Sequence, residues 1–348
     1  MVVIILPALK SGGSEWQLLA LLRELVVQVD IVLWVYDSSS EDPIIANEYR
    51  KLQNLEIVFG KGFKSWVAIV KRSPTTIISY AINYYLPEIL LKVITGSVLI
   101  TERRNLYHWL NDANRKSIQE FIRNTLTTNV VCNSKTVKIA AEHREWGIKG
   151  KSIIVYNSVE IPVNSAAYQK ETNLNIIAVG NIKKRKGIEE VLTVYENFYT
   201  DKGFVYDFSI YGRQDDKSIL KNCPADMVAE VYRGVGKRDE MYRYGSILLH
   251  LSHSEGFPNV VIEALAAGML VILSDIPVHR ELFNNQATFA AGPTEAILAI
   301  KEQIKLFELC PKQFYSKCDK NIEFTKTFNS GLRASRYKEL ILNKGQLK

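Results

Sequence analysis

Residues 247–268, ILLHLSHSEGFPNVVIEALAAG, place a strand, a turn and a helix in immediate succession. The apolar run 247–251 predicts a buried strand, and the Gly-Phe-Pro sequence after it predicts a turn. Pro258 stands where a helix can begin without losing a hydrogen bond, and Gly268 suits the C-terminal end of that helix. This unit is typical of a parallel sheet that is covered by helices.

The same alternation of apolar runs and amphipathic segments extends in both directions along the chain. Strands are predicted at 2–6, 31–36, 98–101, 129–132, 153–156, 175–179, 204–211, 228–232, 247–251 and 270–274. Helices are predicted at 15–27, 187–199, 239–244, 258–267, 294–307 and about 330–343. Polar residues 163–172 interrupt the alternation and predict a linker. We therefore expect two doubly wound α/β domains, residues 1–165 and 166–330, and a C-terminal helix in 331–348 that packs back on the first domain.

Composition narrows the class of protein. The chain has 348 residues, with 44 Lys and Arg against 37 Asp and Glu, a net charge of +7. The basic excess is spread along the chain, so a nucleic-acid-binding tail is not expected. Four widely spaced cysteines argue against a disulfide framework or a zinc site and favour a reducing cytosol. The apolar N-terminus lacks the features of a signal peptide, and the apolar stretch 77–100 is interrupted by Pro87, Glu88 and Lys92, so we expect a soluble protein.

In doubly wound sheets, ligands bind at the carboxyl ends of the strands, so the loops after strands are where chemistry is expected. Gly12 and Gly13 lie in such a loop and open a helix, which favours an anion, although a tight turn without a ligand fits equally well. The segment 180–187, GNIKKRKG, puts four cations beside the start of a helix, where negative charge is preferred. A diphosphate would offset that arrangement; the alternative is a solvated basic turn.

The loop in 252–268 carries the clearest signal. Glu255 stands before the predicted helix and Glu263 lies on it, within the apolar run VVIEAL. A carboxylate buried there needs donors, and sugar hydroxyls are suitable donors. Backbone amides at the start of this helix, those of Phe257, Asn259 and Val260, are candidates to bind a phosphate. The alternative is an ordinary surface pair of glutamates.

With these residues, the chain resembles the retaining glycosyltransferases of family 4, and the likeness is densest in residues 175–285. Glu255 and Glu263 match the Glu-x7-Glu motif, and Lys186-Gly187 matches the family's Lys-Gly pair. Weaker matches are the Gly-Gly-x-Glu loop at 12–15, the segments 132–135 and 154–159, and the strand ends at 211–212 and 233–235. The resemblance implies the GT-B fold, two doubly wound Rossmann-like domains facing a central cleft, with acceptor bound by the first domain and nucleotide sugar by the second.

The resemblance also implies transfer of a sugar from a nucleotide-sugar donor, UDP-sugar by preference, with retention and with neither a metal ion nor another cofactor. It assigns catalysis to Glu255 and Lys186: Glu255 contacts the donor sugar, Glu263 the ribose, and Lys186 the diphosphate. The donor site it predicts comprises Gly12, Gly13, Asn181, Arg185, Lys186, Gly212, Val235, Glu255, Gly256, Phe257, Pro258, Asn259, Val260 and Glu263.

Two positions depart from the family pattern. Asn181 stands where the family has an arginine, so a diphosphate contact is missing or is supplied by Lys183, Lys184 or Arg185, of which we favour Arg185. The first-domain histidine that many members place near the donor sugar is not evident. Glu102, Arg103 and His108 are the candidates for that place, on the acceptor or sugar side, and the sequence does not choose among them.

Residues 50–72 combine six basic side chains and three aromatic ones with the single acid Glu56. This composition suits contact with an anionic membrane or a lipid diphosphate, although a solvated basic surface fits as well. By analogy we expect surface-polysaccharide assembly, with a saccharide or lipid-linked acceptor at the cytoplasmic face of the membrane. The alternatives are a GT-B nucleotide-sugar epimerase and a non-catalytic nucleotide-sugar-binding protein. A dehydrogenase fits least, because the first loop lacks the full glycine fingerprint.

Overall fold

The computed structural model describes residues 1–10, 12–37, 39, 41–80, 85–106, 118–159, 174–200, 205–221 and 223–343. The chain divides into two compact units: Met1–Ser158 together with Phe328–Lys348, and Val159–Thr327. The sequence places the corresponding boundaries at residues 165 and 330. The predicted linker 163–172 lies outside the described residues.

The described part of the first unit contains one parallel sheet with the strand order β3-β2-β1-β4-β5-β6-β7. Its strands are β1 Val2–Leu6, β2 Ile31–Val35, β3 Leu55–Phe59, β4 Thr76–Ser79, β5 Val98–Arg103, β6 Asn129–Cys132 and β7 Ser152–Ile154. Its helices are α1 Gly13–Leu25, α2 Pro43–Arg50, α3 Phe63–Lys71, α4 Tyr85–Thr95, α5 Ile118–Leu126 and α6 Lys135–Arg144. Strand β1 is buried along its whole length, as expected for a central parallel strand with helices on both faces.

The second unit repeats the pattern with the order β10-β9-β8-β11-β12-β13. Its strands are β8 Asn175–Val179, β9 Asp207–Tyr211, β10 Tyr232–Gly234, β11 Ile247–His250, β12 Leu270–Ser274 and β13 Ala287–Ala290. Its helices are α7 Ile188–Tyr199, α8 Lys217–Lys221, α9 Ala225–Val231, α10 Arg238–Met241, α11 Asn259–Ala266, α12 Pro277–Phe283, α13 Pro293–Leu309 and α14 Pro311–Thr325. The strand order reverses between β8 and β11, and ligands bind doubly wound sheets at such a reversal.

Helix α15, Ser330–Leu342, belongs to the first unit although it ends the described chain. The Asn329 side chain caps it by accepting from the Leu332 amide at 2.8 Å, the usual role of an Asn before a first turn. Ala334, Tyr337 and Leu340 are buried in the same apolar cluster as the inner face of α1. The helix therefore packs on the N-terminal sheet layer.

One predicted element is wrong. The sequence predicts a strand at 228–232, but residues 225–231 form α9 and the strand begins only at Tyr232. Met227 and Val231 are four residues apart and both buried, which is one face of a helix. The β-branched residues Val228 and Val231 favoured a strand, but this helical spacing prevails.

Two further observations concern the helices and the cysteines. Among the described residues, no helix is long and apolar enough to cross a membrane. All four cysteines are free thiols.

Candidate functional site

The loop after β8 passes against the end of β11, and Gly187 makes this approach possible. A short 3-10 turn, Lys184–Lys186, precedes Gly187, which has φ of +63°. A Cβ atom at this position would lie 1.9 Å from the carbonyl oxygen of Leu251. The carbonyl of Arg185 then accepts from the His253 amide at 3.0 Å and from the Ser252 hydroxyl at 3.1 Å. The cationic loop is thus fixed to the loop that carries Glu255.

This contact brings Lys186 to Glu255. The Lys186 ammonium lies 2.5 Å from Oε1 of Glu255, and the Arg185 guanidinium lies 3.8 Å from Oε2. His250, the last residue of β11, places Nε2 at 3.2 Å from the same Oε1. Glu255 is only 5% exposed, so the structure unites the two residues that the sequence predicts to be catalytic, sixty-nine positions apart.

The electrostatics of this cluster keep Glu255 ionised. Burial alone would raise the pKa of Glu255, but the Lys186 ammonium and the His250 hydrogen bond together hold that pKa well below its usual range. Burial lowers the pKa of His250, with Glu255 only partly offsetting it. A neutral His250 carrying its proton on Nε2 can therefore donate to the Glu255 carboxylate.

A second buried histidine lies behind the first. The His250 and His279 rings are 5.5 Å apart, and Nδ1 of His279 lies 2.9 Å from the Ser274 carbonyl. Burial lowers the pKa of His279 to about 4, and His250 adds to that effect. Both imidazoles are therefore neutral near pH 7, so Lys186 and Arg185 supply the positive charge around Glu255.

Glu263 lies on α11, whose neighbouring residues Val261, Ile262 and Ala264 are fully buried. Glu263 is half-buried, less enclosed than the apolar run predicts, and its Oε2 accepts from the Tyr242 hydroxyl at 3.0 Å. The residue therefore remains partly accessible to solvent.

The turn before α11 differs in detail from the prediction. Pro258 is the N-cap and not the first helical residue, and the Asn259 amide donates to the Phe257 carbonyl at 3.1 Å. Gly256, Phe257 and Pro258 are buried, whereas Asn259 and Val260 are half-buried. Gly268 follows the helix with φ of +75°, as predicted for its C-terminal end.

Carboxylates of the protein itself neutralise part of the positive charge of the 180–187 loop. Asp215 accepts from Asn181 at 3.0 Å, from Lys183 at 2.9 Å and from Arg213 at 2.6 Å. The hydrogen bonds from Arg213 and Lys183 hold the pKa of Asp215 far below its usual range. Lys183 thus pairs with a carboxylate other than Glu255. Of the three cations proposed to replace the missing arginine, Arg185 is the one that faces Glu255.

The remaining predicted positions of the second unit surround the same strand ends. A Cβ atom on Gly212 would lie 1.9 Å from the Gly180 carbonyl oxygen, so the loops after β8 and β9 touch here through their backbones. Val235 follows β10 and is 79% exposed.

In the first unit, Gly12 is the N-cap of α1 and Gly13 its first residue. Glu102 accepts from the Tyr337 hydroxyl at 2.5 Å and from Arg104 at 2.7 Å. Both of its carboxylate oxygens thus have donors within the protein. Its side chain is almost completely buried.

Arg103 points elsewhere. It binds the Glu145 carboxylate through two nitrogens, at 2.6 and 2.7 Å, and donates to Asn124 at 3.0 Å. His108, the third candidate for the acceptor or sugar side, lies outside the described residues.

Sequence reasoning missed His250. Its only signal is its place as the final residue of a predicted strand that precedes Glu255. The spacing of the histidines does not predict a role for His250, because that role depends on the turn that brings Glu255 back to the end of β11. Within the described ranges, no three His, Cys, Asp or Glu side chains come together as metal ligands would.

Comparison with known proteins identifies relatives of this chain. Residues 161–324 match the family model of glycosyl transferases group 1, and this segment contains Lys186, Glu255 and Glu263. An alpha-galactosylglucosyldiacylglycerol synthase of Streptococcus pneumoniae is 24% identical over 36% of this chain and 35% of its own length. A serotype-specific mannosyltransferase, WbdA of Escherichia coli, is 27% identical over 38% of this chain. The match to this chain spans 18% of WbdA.

An O-antigen biosynthesis glycosyltransferase of Escherichia coli, WclY, is 27% identical over 58% of this chain and 59% of its own length. Among solved structures, HepE of Anabaena in complex with UDP-glucose matches with a TM-score of 0.77 and 11% identity, over 98% of this chain and 99% of that one. The lipopolysaccharide outer core galactosyltransferase WaaB matches with a TM-score of 0.62 and 16% identity, over 99% of this chain and all of that one. These likenesses confirm the predicted fold class of two doubly wound Rossmann-like domains, the GT-B fold.

Proposed function

We propose that the protein is a glycosyltransferase that moves a sugar from a nucleotide-sugar donor, by preference a UDP-sugar, to a saccharide or lipid-linked saccharide acceptor. The transfer retains the configuration of the anomeric carbon and requires no metal ion. The observation that carries the proposal is the buried Glu255 with Lys186, Arg185 and His250 around it. It lies at the strand reversal of a unit that matches the family model of glycosyl transferases group 1.

The proposed reaction breaks the bond between the anomeric carbon and the diphosphate oxygen, and the diphosphate leaves with the electron pair. The acceptor hydroxyl oxygen bonds to the anomeric carbon from the same face, and its proton passes to the departing phosphate oxygen. Lys186 and Arg185 stabilise the charge on that phosphate. One well-placed donor of this kind is worth about 3–4 kcal/mol in the transition state.

The two carboxylates divide the donor between them. Glu255 accepts hydroxyl hydrogens of the sugar and so positions its anomeric carbon, while Glu263 accepts from the ribose. His250 positions Glu255 by donating to Oε1, and the sugar hydroxyls meet Oε2 beside the Arg185 guanidinium. The half-buried placement of Glu263 supports this division, because a residue that meets a ribose must be accessible from solvent.

The names of the relatives guide the acceptor side of the proposal. The relatives are named as an alpha-galactosylglucosyldiacylglycerol synthase, an O-antigen biosynthesis glycosyltransferase and a serotype-specific mannosyltransferase. We accordingly propose a role in surface-polysaccharide or glycolipid assembly, at the cytoplasmic face of the membrane.

The first test is a thermal-shift and calorimetric screen of the intact protein with UDP, GDP, ADP and their common sugars, each with EDTA and with magnesium. A saturable shift with one nucleotide, unchanged by EDTA, is the expected result. Folded protein that responds to no nucleotide would overturn the donor site. Conversion of the nucleotide sugar itself, with no acceptor present, would replace transfer by epimerisation.

Glu255→Gln is the sharpest test of the catalytic assignment. We expect turnover to fall more than tenfold, while UDP affinity stays equal or rises because Lys186 loses its internal carboxylate partner. Turnover is followed by release of the nucleoside diphosphate, and affinity by calorimetry. Turnover at the wild-type level would remove Glu255 from the mechanism.

Glu263→Ala provides the complementary result. This substitution should weaken binding of UDP itself, because the ribose loses its acceptor. The Tyr242→Phe variant is the matched control, since it removes only the hydroxyl that donates to Glu263. Unchanged affinity in Glu263→Ala would discredit the ribose role.

A further inference from the structure

Two neighbouring helices of the first unit expose an apolar face, which we call the α4–α5 face. Its residues are 41% to 78% exposed: Leu86, Leu90, Val93 and Ile94 of α4, and Ile118, Phe121 and Ile122 of α5. Isolated apolar side chains are common on surfaces, but seven of them on two helices that pack together are typical of a surface that binds a partner.

One charged group of each helix is buried beneath this face. Glu88 of α4 and Arg123 of α5 are 1% and 3% exposed and form an ion pair beneath the face. Arg123 also donates to the Ser79 hydroxyl at 3.3 Å, and Lys92 donates to the Ser97 carbonyl. A helix on the surface of a globular protein has the reverse arrangement, with charges outward. The buried pair joins the helices and keeps both apolar stripes on one side.

The surroundings of the face indicate what covers it. Helix α3 packs beside α4, and residues 61–72 contain no acid. Lys61, Lys64 and Lys71 are exposed there, and Phe63 is 84% exposed. On the other side, Phe121 meets Trp146 edge-on at 6.5 Å between ring centroids, and Trp146 is 60% exposed. Exposed apolar side chains, lysines on a neighbouring helix and an exposed indole are together the composition that binds the interface of an anionic bilayer.

We propose that the α4–α5 face, with the lysines of α3, seats the first unit on an anionic lipid membrane. The aliphatic side chains and Phe121 enter the boundary between headgroups and acyl chains, and the lysines meet lipid phosphates. The biological meaning of this contact rests on the proposed function, because a lipid-linked acceptor is presented at such a surface. Membrane binding itself requires neither donor nor acceptor.

The test is co-sedimentation of the intact protein with vesicles of phosphatidylcholine mixed with phosphatidylglycerol, and with vesicles of phosphatidylcholine alone. We expect binding to the anionic vesicles that weakens with added salt. The double variant Val93→Glu/Phe121→Glu should lower the apparent affinity at least tenfold, because two carboxylates then enter the lipid interface. Lys64→Glu should lower it by a smaller factor that disappears at high salt.

Leu298→Glu is the matched control. Leu298 is also an exposed leucine of a helix, at 57%, but it lies on α13 of the second unit, so this variant should bind vesicles like the wild type. Thermal unfolding and UDP binding of each variant show that it folds and that the donor site is intact, which separates failure here from failure of the proposed function. Vesicle binding unaffected by the double variant would overturn the inference. Absence of vesicle binding by the wild-type protein would also overturn it. The same holds if the wild-type protein binds no vesicles and sediments as a dimer that the double variant converts to a monomer.

Discussion

Replacing Gly187 by alanine tests whether the contact between the β8 loop and β11 builds the site. The residue has φ of +63°, and a left-handed conformation costs a non-glycine residue about 1–2 kcal/mol. The added methyl would also lie 1.9 Å from the Leu251 carbonyl oxygen and 2.6 Å from its carbon. These are backbone atoms at the end of a central strand, so they cannot move aside like a flexible side chain.

Overpacking of this kind costs about 1–3 kcal/mol, so the total for Gly187→Ala is about 2–5 kcal/mol of unfolding free energy. A protein stable by about 5–15 kcal/mol loses a large part of its margin through such a change. Gly234→Ala is the matched control in the same unit. Gly234 has φ of +70°, but a Cβ atom there meets nothing within 4 Å, so only the backbone cost of about 1–2 kcal/mol applies.

Urea unfolding followed by far-ultraviolet circular dichroism measures both variants. Tryptophan fluorescence is a separate probe, because all five tryptophans precede residue 147 and report on the first unit. If the loop instead swings away to relieve the clash, it carries Lys186 from Glu255, and UDP affinity falls. A Gly187→Ala protein no less stable than Gly234→Ala, and with unchanged UDP affinity, would refute this account of the site.

Two further variants test one ion pair in each unit. The pKa of Glu255 is lowered in the folded protein, so its contribution to stability is present above its ordinary pKa and is lost as the pH falls through the lower folded value. Lys186→Met removes the cation, and the loss should begin at a higher pH in thermal unfolding followed from neutral to acid pH; an unshifted profile would contradict the pairing. Arg103→Met leaves the buried Glu145 without its bidentate partner and should cost about 3–5 kcal/mol of unfolding free energy, measured by tryptophan fluorescence in urea. UDP affinity should not change, and its loss would instead place Arg103 in the donor site.

The sequence predicts most of the scaffold because the signal is local. Strands such as β1 and β2 are runs of buried apolar residues. A parallel strand that is covered by helices on both faces can be predicted from such a run alone. The wrong strand prediction at 228–232 also has a local cause, since the β-branched residues that favour a strand occur there in a short helix. The strand Thr76–Ser79 went unpredicted because four residues at the edge of a long apolar stretch carry no distinct period.

The candidate site was predictable where residues adjoin in sequence and not where the chain folds back. Glu255 and Lys186 were paired through a family resemblance, whereas His250 was missed because only the turn at 251–254 returns Glu255 to the strand end. Successive residues of a strand point to opposite faces. Glu102 therefore reaches Tyr337 of α15, and Arg103 reaches Glu145 on the other side. No pattern within 102–103 distinguishes those surroundings.

The charge distribution of the β8 loop links stability to the proposed chemistry. Asp215 pairs with Lys183 and Arg213, while Lys186 and Arg185 share the buried Glu255 carboxylate, so at each carboxylate two cations face one internal anion. Under the proposed function, a diphosphate that enters this loop would meet an excess of positive charge and would compete with Glu255 for Lys186. As the ammonium turns to the phosphate, the Glu255 carboxylate keeps His250 as a donor and gains capacity for the sugar hydroxyls. One rearrangement of a salt bridge then prepares the leaving group and the sugar together, and a carboxylate held ionised by its neighbours fits that exchange better than one that must first lose a proton.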